Sequence, residues 1–544
     1  MKAYLRTKIL AAMRSLRIPG TPAVSLETPR QAGHGDLTTN VAMVLAKSVG
    51  KNPRQLAGDI IANMEIDPSF LSRVEVAGPG FINVTFTESF FRRQMMEILE
   101  LQDAFGRSGI GKNKRTQVEF VSANPTGPLT VGHGRGAVFG DTVSRLLEWT
   151  GHDVTREYYF NNAGRQMRIL GDSVRLRYLE LLGDPVEFPQ DYYQGEYIRT
   201  IAQHLHDSSG DALRNEPAEG RFKQQAEAEI FDDIKKTLNL LGIEFPSFFN
   251  ENSLYEDGKI TEVIDELKKK DLVFEQEGAL WFKASAFGGE KDKVIVKSSG
   301  EPTYRLPDIA YHREKFRRGF ELIIDVFGAD HIATYPDVLA ALQALGLDTK
   351  RVKVLIHQFV TITQHGEVVK MSTRKANFIT LDELIAEVGA DVVRYFFLMR
   401  TITSHLNFDL ELAKKQSDEN PVYYVQYAHA RICSILTYAG EAAPGGVSVP
   451  ADPELLRTPE ELALLKTLLA FPDMVESCAL TYEPHRLADY LHGVAEGFHR
   501  FYHCCRVVGE DAALTAARLA LCTATRIVLR NGFTVLGISA PEQM

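Results

Sequence analysis

The stretch SANPTGPLTVGHGRG, Ser122–Gly136, packs four glycines, two prolines and a histidine between two segments of opposite character. Before it runs the β-prone VEFVSA from Val118; after it, GAVFGDTVSRLLEWTG carries apolar residues at helical spacing until Gly151 closes the run. The pattern predicts strand, glycine-rich turn and helix, so that backbone amides at the helix start make an anion site a ligand can approach closely. Two familiar nucleotide loops do not fit: GxxxxGK[ST] is absent, and Gly134, Gly136 and Gly140 give GxGxxxG rather than GxGxxG. What the turn does have is His133 in the first helical turn, where an imidazole can donate to a phosphate that gains charge as its leaving group departs.

Outward from that stretch the alternation continues. DVTREYYF reads as a strand, NNAGRQMRILGDSVRLRYLELLG as a helix, and after an interruption ELIIDVF, PDVLAALQALG and VKVLIHQFV resume the plan, which predicts a parallel α/β sheet. The interruption, about residues 185–300, holds charged helices and the β-rich LWFKA and DKVIVKS, and reads as an insertion in a unit spanning 115–405. Residues 1–107 form a separate α/β unit, with helix-like AYLRTKILAAMRSL, TTNVAMVLAKSVG and NPRQLAGDIIANM and the β-rich VEVAGPGFINVTF; GRSGIGKNKRTQ is the linker that follows. Past about residue 410 every segment has helical periodicity, predicting an all-helical bundle over 410–544.

At 544 residues, 44% apolar and 24% charged, the chain has the composition of a multidomain globular protein, with no unbroken apolar run near the roughly 18 residues that span a bilayer. The basic, amphipathic N-terminus lacks the continuous apolar core of a signal peptide, so the expectation is a cytoplasmic protein. Five cysteines without CxxC spacing read as reduced core residues, and His499, His503 and Cys504 lack a second cluster with which to hold a metal. A formal charge of −10 excludes a surface that is basic throughout, yet it leaves room for a local basic track.

PLTVGHGRG resembles the HIGH signature of class I aminoacyl-tRNA synthetases, and VVKMSTRKANF (368–378) resembles their KMSK loop. EFVSANPTGPL, GHGRGAVFGD, DENPVYYVQYAHARICSIL and LRNGFTVLGISAPEQM are similar to segments of bacterial arginyl-tRNA synthetases, and HGDLTTNVAM with VAGPGFIN resembles that family's N-terminal domain. The resemblance implies a Rossmann-like catalytic core that activates L-arginine with ATP and Mg2+ and then esterifies the 2′-hydroxyl at the 3′ end of tRNA(Arg). No protein-bound metal and no membrane partner are expected, and a monomer is favoured.

Free arginine carries a guanidinium whose planar fork matches carboxylates and is costly to bury unpaired, so acids should line its pocket. On the residues alone, Glu119 is a solvated acid at a strand end and Asp308 a helix-capping acid. The resemblance instead implies that Glu119, Tyr304 and Asp308 bind arginine and that Ser122 and Asn124 hold its amino and carboxyl groups. It implies a nucleotide site built from Thr130, Gly132, His133, Gly136, Gly328, Asp330, His331, Met371 and Ser372, with Lys370 and Lys375 neutralising the triphosphate. The aromatic and cationic Tyr423, Tyr427, His429, Arg431, Arg526 and Arg530 are candidates for reading the anticodon, and Asp36 and Asn40 for the tRNA elbow. Three positions depart from the common pattern: Thr130 replaces the first HIGH histidine, Thr373 the last KMSK lysine, and Asn162 stands where the family more often has aspartate. A class I synthetase for another amino acid, a small-molecule adenylyltransferase and a non-catalytic tRNA-binding paralogue are the alternatives. Family membership also implies that arginine activation depends on bound tRNA.

Overall fold

The computed structural model describes residues 1–18, 24–29, 32–369, 379–442 and 450–544. In the first unit, strands β1 (Leu37–Thr39), β2 (Leu71–Ala77) and β3 (Phe81–Phe86) form an antiparallel sheet in the order β1-β3-β2. The run TTNVAMVLAKSVG, expected to be helical, is divided: Thr38 and Thr39 pair with Asn83 and Ile82, and the helix begins only at Val41. The β-branched threonines suit the pleated strand, and Thr39 Oγ1 accepts from the Val41 amide as the chain turns into the helix.

The central sheet is parallel and five-stranded. It contains β4 (Arg115–Glu119), β5 (Asp153–Phe160) and β6 (Ser247–Asn250). A small antiparallel sheet of β7 (Val273–Gln276), β8 (Ala279–Phe282) and β9 (Lys293–Val296) follows, after which β10 (Leu322–Gly328) and β11 (Val352–His357) complete the order β11-β10-β4-β5-β6. The range 185–300 therefore is not wholly an insertion, because Ser247–Asn250 is the outer strand of the core sheet, paired with Glu157–Phe160. Helices Glu196–Ser209 and Lys223–Leu240 belong to the crossover that reaches it.

The chain runs outward from β4 to β6, returns, and runs outward again from β10 to β11. Strand order thus reverses between β4 and β10, and the crevice beyond their carboxyl ends is where such a sheet receives ligands. VKVLIHQFV, read as one run, is broken at Gln358 and Phe359: its second half is β12 (Val360–Gln364), which joins β13 (Glu367–Val368) and β14 (Leu406–Asp409) in a separate sheet. The break is held from both sides, since the Gln358 amide donates to Ile402 O and its carbonyl accepts from the Arg135 guanidinium.

Among the described residues five α-helices close the chain: Pro421–Ala442, Pro459–Leu469, Phe471–Thr481, His485–Cys504 and Ala512–Leu536. By length and mean hydropathy the last could cross a membrane, although no unbroken apolar run announces it. Its Leu521, Cys522, Val528, Leu529 and Phe533 are fully buried in the bundle, so packing accounts for its apolarity.

The glycine-rich turn leads into the helix Val131–Trp149, which lies directly on the sheet: a Cβ at Gly140 would stand 2.3 Å from Phe120 Cγ. Asp141 on this helix is buried and bonded at 2.6 Å by Arg394, itself only 1% exposed. Arg394 also donates to Leu241 O and Leu536 O, so one guanidinium ties this helix, the crossover and the end of the last helix together. Against the burial that disfavours its charge, Arg394, Arg145 and Arg156 hold the Asp141 carboxyl below its usual range. Removing one partner of such a buried pair typically costs about 3–5 kcal/mol. Arg394→Met is therefore expected to lower the urea midpoint for loss of helical signal, and an unchanged midpoint would show that the contact carries no net stability.

Candidate active site

At the acidic end of the crevice, strand β4 finishes on Glu119, which is 3% exposed. Its Oε2 accepts from Lys315 Nζ at 2.5 Å, and its Oε1 from Ser122 Oγ at 2.9 Å. Lys315, on the helix Arg305–Arg317, is fully buried and also donates to Asp325 Oδ1 at 2.6 Å. The expectation of a solvated acid at Glu119 fails: its charge is compensated inside the protein, by a lysine whose role no motif announced.

Asp308 lies two turns before Lys315 on the same helix, and its carboxylate has no hydrogen bond within the described residues. Burial, aided by the Glu119 and Glu251 carboxylates against the pull of His312 and Lys315, pushes its pKa up to about 7. Glu251, immediately after β6, accepts from Tyr159 Oη at 2.7 Å and Asn161 Nδ2 at 2.8 Å, and burial raises its pKa as well. Burial, with Glu251 and Asp308 close by, drives the Tyr159 phenol far above its usual range, leaving it a neutral donor. Tyr304 stands at the start of the Asp308 helix, 57% exposed.

The turn itself is strained. Val121 and Ser122 have φ of +68° and +44°, a left-handed conformation that a β-branched residue adopts only under constraint. The Ser122 amide closes it onto Phe120 O, and Ser122 Oγ is thereby placed to serve Glu119 and to accept from the Tyr159 amide at 3.2 Å. Asn124 next to it accepts from the Asn161 amide at 3.0 Å and donates to Gln166 Oε1 at 2.9 Å. Asn162, the departure from the family pattern, donates to Glu227 at 2.7 Å.

At the glycine-rich end, Thr130 is the N-cap of the helix, and Gly132 and His133 lie in its first turn. The Thr130 amide donates to His133 Nδ1 at 3.1 Å, and burial lowers the His133 pKa, so the ring is neutral. Gly136 permits a close approach: a Cβ there would stand 3.0 Å from His357 Nε2. His357 ends β11 with Nδ1 buried and, among the described residues, without a hydrogen-bond partner, and burial takes its pKa down to about 4. Gly328 ends β10, and Asp330 and His331 follow in a short turn, with His331 stacked on Phe327 at 4.9 Å. Lys370, Met371, Ser372, Thr373, Arg374 and Lys375 lie outside the described residues. Among the described residues no group of three or more His, Cys, Asp or Glu is arranged to hold a metal ion.

The sequence reading missed Glu251 and His357. Both occupy the carboxyl end of a core strand, a signal hidden because one strand was taken for part of an insertion and the other was read through its break. Of the helical-domain candidates, Tyr423 and Tyr427 stack with centroids 6.2 Å apart, His499 extends the row 5.9 Å from Tyr427, and Arg431 donates to Tyr502 Oη at 3.1 Å. Among the described residues the Arg526 Nε has no hydrogen-bond partner, and Arg530 pairs with Asp103. His429 is 3% exposed and bonded to Pro541 O, so it is an interior residue. Asp36 accepts from Lys466 and from the Phe86 amide, joining the first unit to the bundle, whereas Asn40 is a helix N-cap.

Comparison with known proteins gives these arrangements a context. Residues 3–86 match the family model of the arginyl tRNA synthetase N terminal domain, 94–394 that of the class I (R) tRNA synthetase catalytic domain, and 425–544 that of the DALR anticodon binding domain. An arginine–tRNA ligase of Desulfotalea psychrophila is 53% identical over 530 residues, covering 96% of this chain and 95% of its own. Another, from Chlorobium phaeobacteroides, is 51% identical over 555 residues and the full length of both chains. Among solved structures, a putative arginyl-tRNA synthetase from Campylobacter jejuni has 33% identity and a TM-score of 0.78 over 84% of this chain and all of its own. The Thermus thermophilus arginyl-tRNA synthetase shares the fold at a TM-score of 0.77 and 22% identity over the full length of both chains. With curated relatives at half identity end to end and family models matching 3–86, 94–394 and 425–544, the chain belongs to the arginyl-tRNA synthetases, the class I arginine–tRNA ligases.

Proposed function

We propose that the crevice divides its two small substrates by charge. Asp308, Glu251 and the phenols of Tyr304 and Tyr159 take the guanidinium of L-arginine; Glu119, Ser122 and Asn124 hold its amino and carboxyl ends. ATP, carried with Mg2+ as substrate, lies along Gly132, Gly136 and Gly328, with Asp330, His331 and His357 around the nucleoside and His133 facing the phosphates. Met371 and Ser372 complete the nucleotide contacts, and Lys370 and Lys375 meet the triphosphate. The arginine carboxylate attacks the α-phosphorus, breaking the bond to pyrophosphate, and the tRNA 2′-hydroxyl then attacks the arginyl carbonyl and releases AMP. Neither step needs a protein nucleophile, so positioning and charge stabilisation supply the rate.

The observation that carries this reading is Asp308: a half-buried carboxylate that, unlike Glu119, has no cation bonded to it among the described residues fits a site completed by a cationic ligand. The unit 1–107 is assigned to the tRNA elbow and 410–544 to the anticodon, through Tyr423, Tyr427, Arg431, Arg526 and Arg530, in a cytoplasmic monomer. Arginine-dependent ATP–pyrophosphate exchange, run with and without tRNA(Arg), tests the whole. Exchange is expected only when arginine and tRNA are both present, and exchange driven by another amino acid would overturn the assignment.

His133→Ala is expected to slow that exchange by about 10²–10³, the usual cost of one preorganised donor, with arginine affinity unchanged. A wild-type rate would remove His133 from the mechanism.

Arginine binding should depend on pH through Asp308. Because the free carboxyl has its pKa raised to about 7 and only its ionised form pairs with guanidinium, binding releases a proton as pH falls below 7. Arginine affinity is expected to be flat above pH 7 and to drop about tenfold per unit below it. Calorimetry across pH 5.5–8 would show this slope in the wild type and its loss in Asp308→Asn, which should also discriminate poorly between arginine and citrulline.

A further inference from the structure

Position 130 holds threonine where the class I pattern resembled by this chain has a histidine, and the surrounding geometry gives that threonine a task. Its amide lies 3.1 Å from His133 Nδ1 and its Oγ1 lies 3.2 Å from the same nitrogen. A backbone N–H can only donate, so Nδ1 is the lone-pair nitrogen and the proton of the neutral ring sits on Nε2. With no hydrogen on Nδ1, the hydroxyl can meet it only as a second donor. The arrangement is a capping box with histidine at the third helical position, where glutamate or glutamine is usual.

The threonine backbone is itself fixed. Thr130 forms an isolated antiparallel bridge with Thr380, and the Leu381 amide donates to Leu129 O at 2.8 Å. Leu381 and Phe397 close against the helix at Gly134, so the donor pair is anchored by the segment that follows residue 378.

We propose that Thr130 is a positioning residue: amide and hydroxyl together lock His133 in the Nε2–H tautomer and in one ring orientation, and the hydroxyl faces the imidazole rather than the nucleotide. The proposal rests on the reading of His133 as the phosphate donor. A donor fixed in advance costs no reorganisation when charge develops, the condition under which a single hydrogen bond to a transition state is most effective.

The test uses the full-length protein with 15N-labelled histidine, the His133 ring being assigned by its loss in His133→Asn. Wild type and Thr130→Ser are expected to show a lone-pair Nδ1 and a protonated Nε2, with exchange rates within about twofold of each other. Thr130→Val should show tautomer averaging and a kcat about 3- to 10-fold lower, the worth of one net hydrogen bond, with KM for ATP and arginine nearly unchanged. Thr130→Gly, which keeps a serviceable N-cap without the hydroxyl, should match the valine variant and guards against a result that reflects helix stability alone. A wild-type tautomer and kcat in Thr130→Val would overturn the proposal; so would a raised ATP KM with an unaltered tautomer, which would place the hydroxyl on the nucleotide. If His133→Asn itself exchanges at the wild-type rate, the reading of His133 fails instead, whatever Thr130 does to the ring.

Discussion

The crevice is organised around Lys315, an ammonium with no access to water. Its two carboxylate partners, Glu119 and Asp325, are register neighbours on β4 and β10, the strands between which the order of the sheet reverses. Desolvating three charges is costly, and the cost is met only if each remains bonded, so the triad fixes the end of β4 against the middle of β10 at one spacing. Although burial opposes it, Asp325 and Glu119 keep Lys315 protonated, and Lys315 with His312 holds Asp325 well below the usual carboxylate range. The same helix then carries Asp308 two turns away, its carboxylate without a hydrogen bond among the described residues. Because Lys315 is spent on Glu119 and Asp325, it forms no hydrogen bond with the Asp308 carboxylate.

A second set of buried charges fixes the other wall. Arg135 gives its guanidinium to the carbonyls of Gln358, Thr401 and Ser404, and Asp141 one and a half turns along receives Arg394. These bonds hold the helix that begins at the glycine-rich turn against the small β12 sheet and, through Leu536 O, against the C-terminal bundle. The first unit reaches the same bundle through Arg92 to Leu456 O and Asn531 to Gln102 O. Side chains with fixed planar forks, rather than apolar contact alone, set how the units meet.

Much of this was legible in the chain. The strand–turn–helix at Ser122–Gly136 and the repeat of β5 and its helix follow from periodicity. What was not legible has physical causes. SFFN is too short to show a period, so β6 and the acid that follows it, Glu251, were absorbed into an apparent insertion. The run VKVLIHQFV has uninterrupted β propensity, and only a tertiary contact from Arg135 divides it, which concealed His357 at a strand end. Asp36 and His429 carry chemistry suited to RNA, but ion pairing with Lys466 and bonding to Pro541 O use it for structure. Pairing of charges across long sequence separation is what local patterns do not encode.

The placement of neutral and charged groups then follows from the substrates. A phosphate and a guanidinium must lie within one crevice, where unit charges attract or repel over about 10 Å with little screening. A fixed cation in the helix turn would offset Asp308 and weaken the acidic end. Burial instead keeps His133 and His357 neutral, and the helix start contributes amide donors without net charge. Among the described residues, the acids Asp308 and Glu251 therefore stand at one end and neutral imidazoles, with Asp330 close by, at the other. On this view a threonine at position 130 costs the site little: a second imidazole there would add another titratable group, whereas a hydroxyl turned onto Nδ1 adds a donor and no charge.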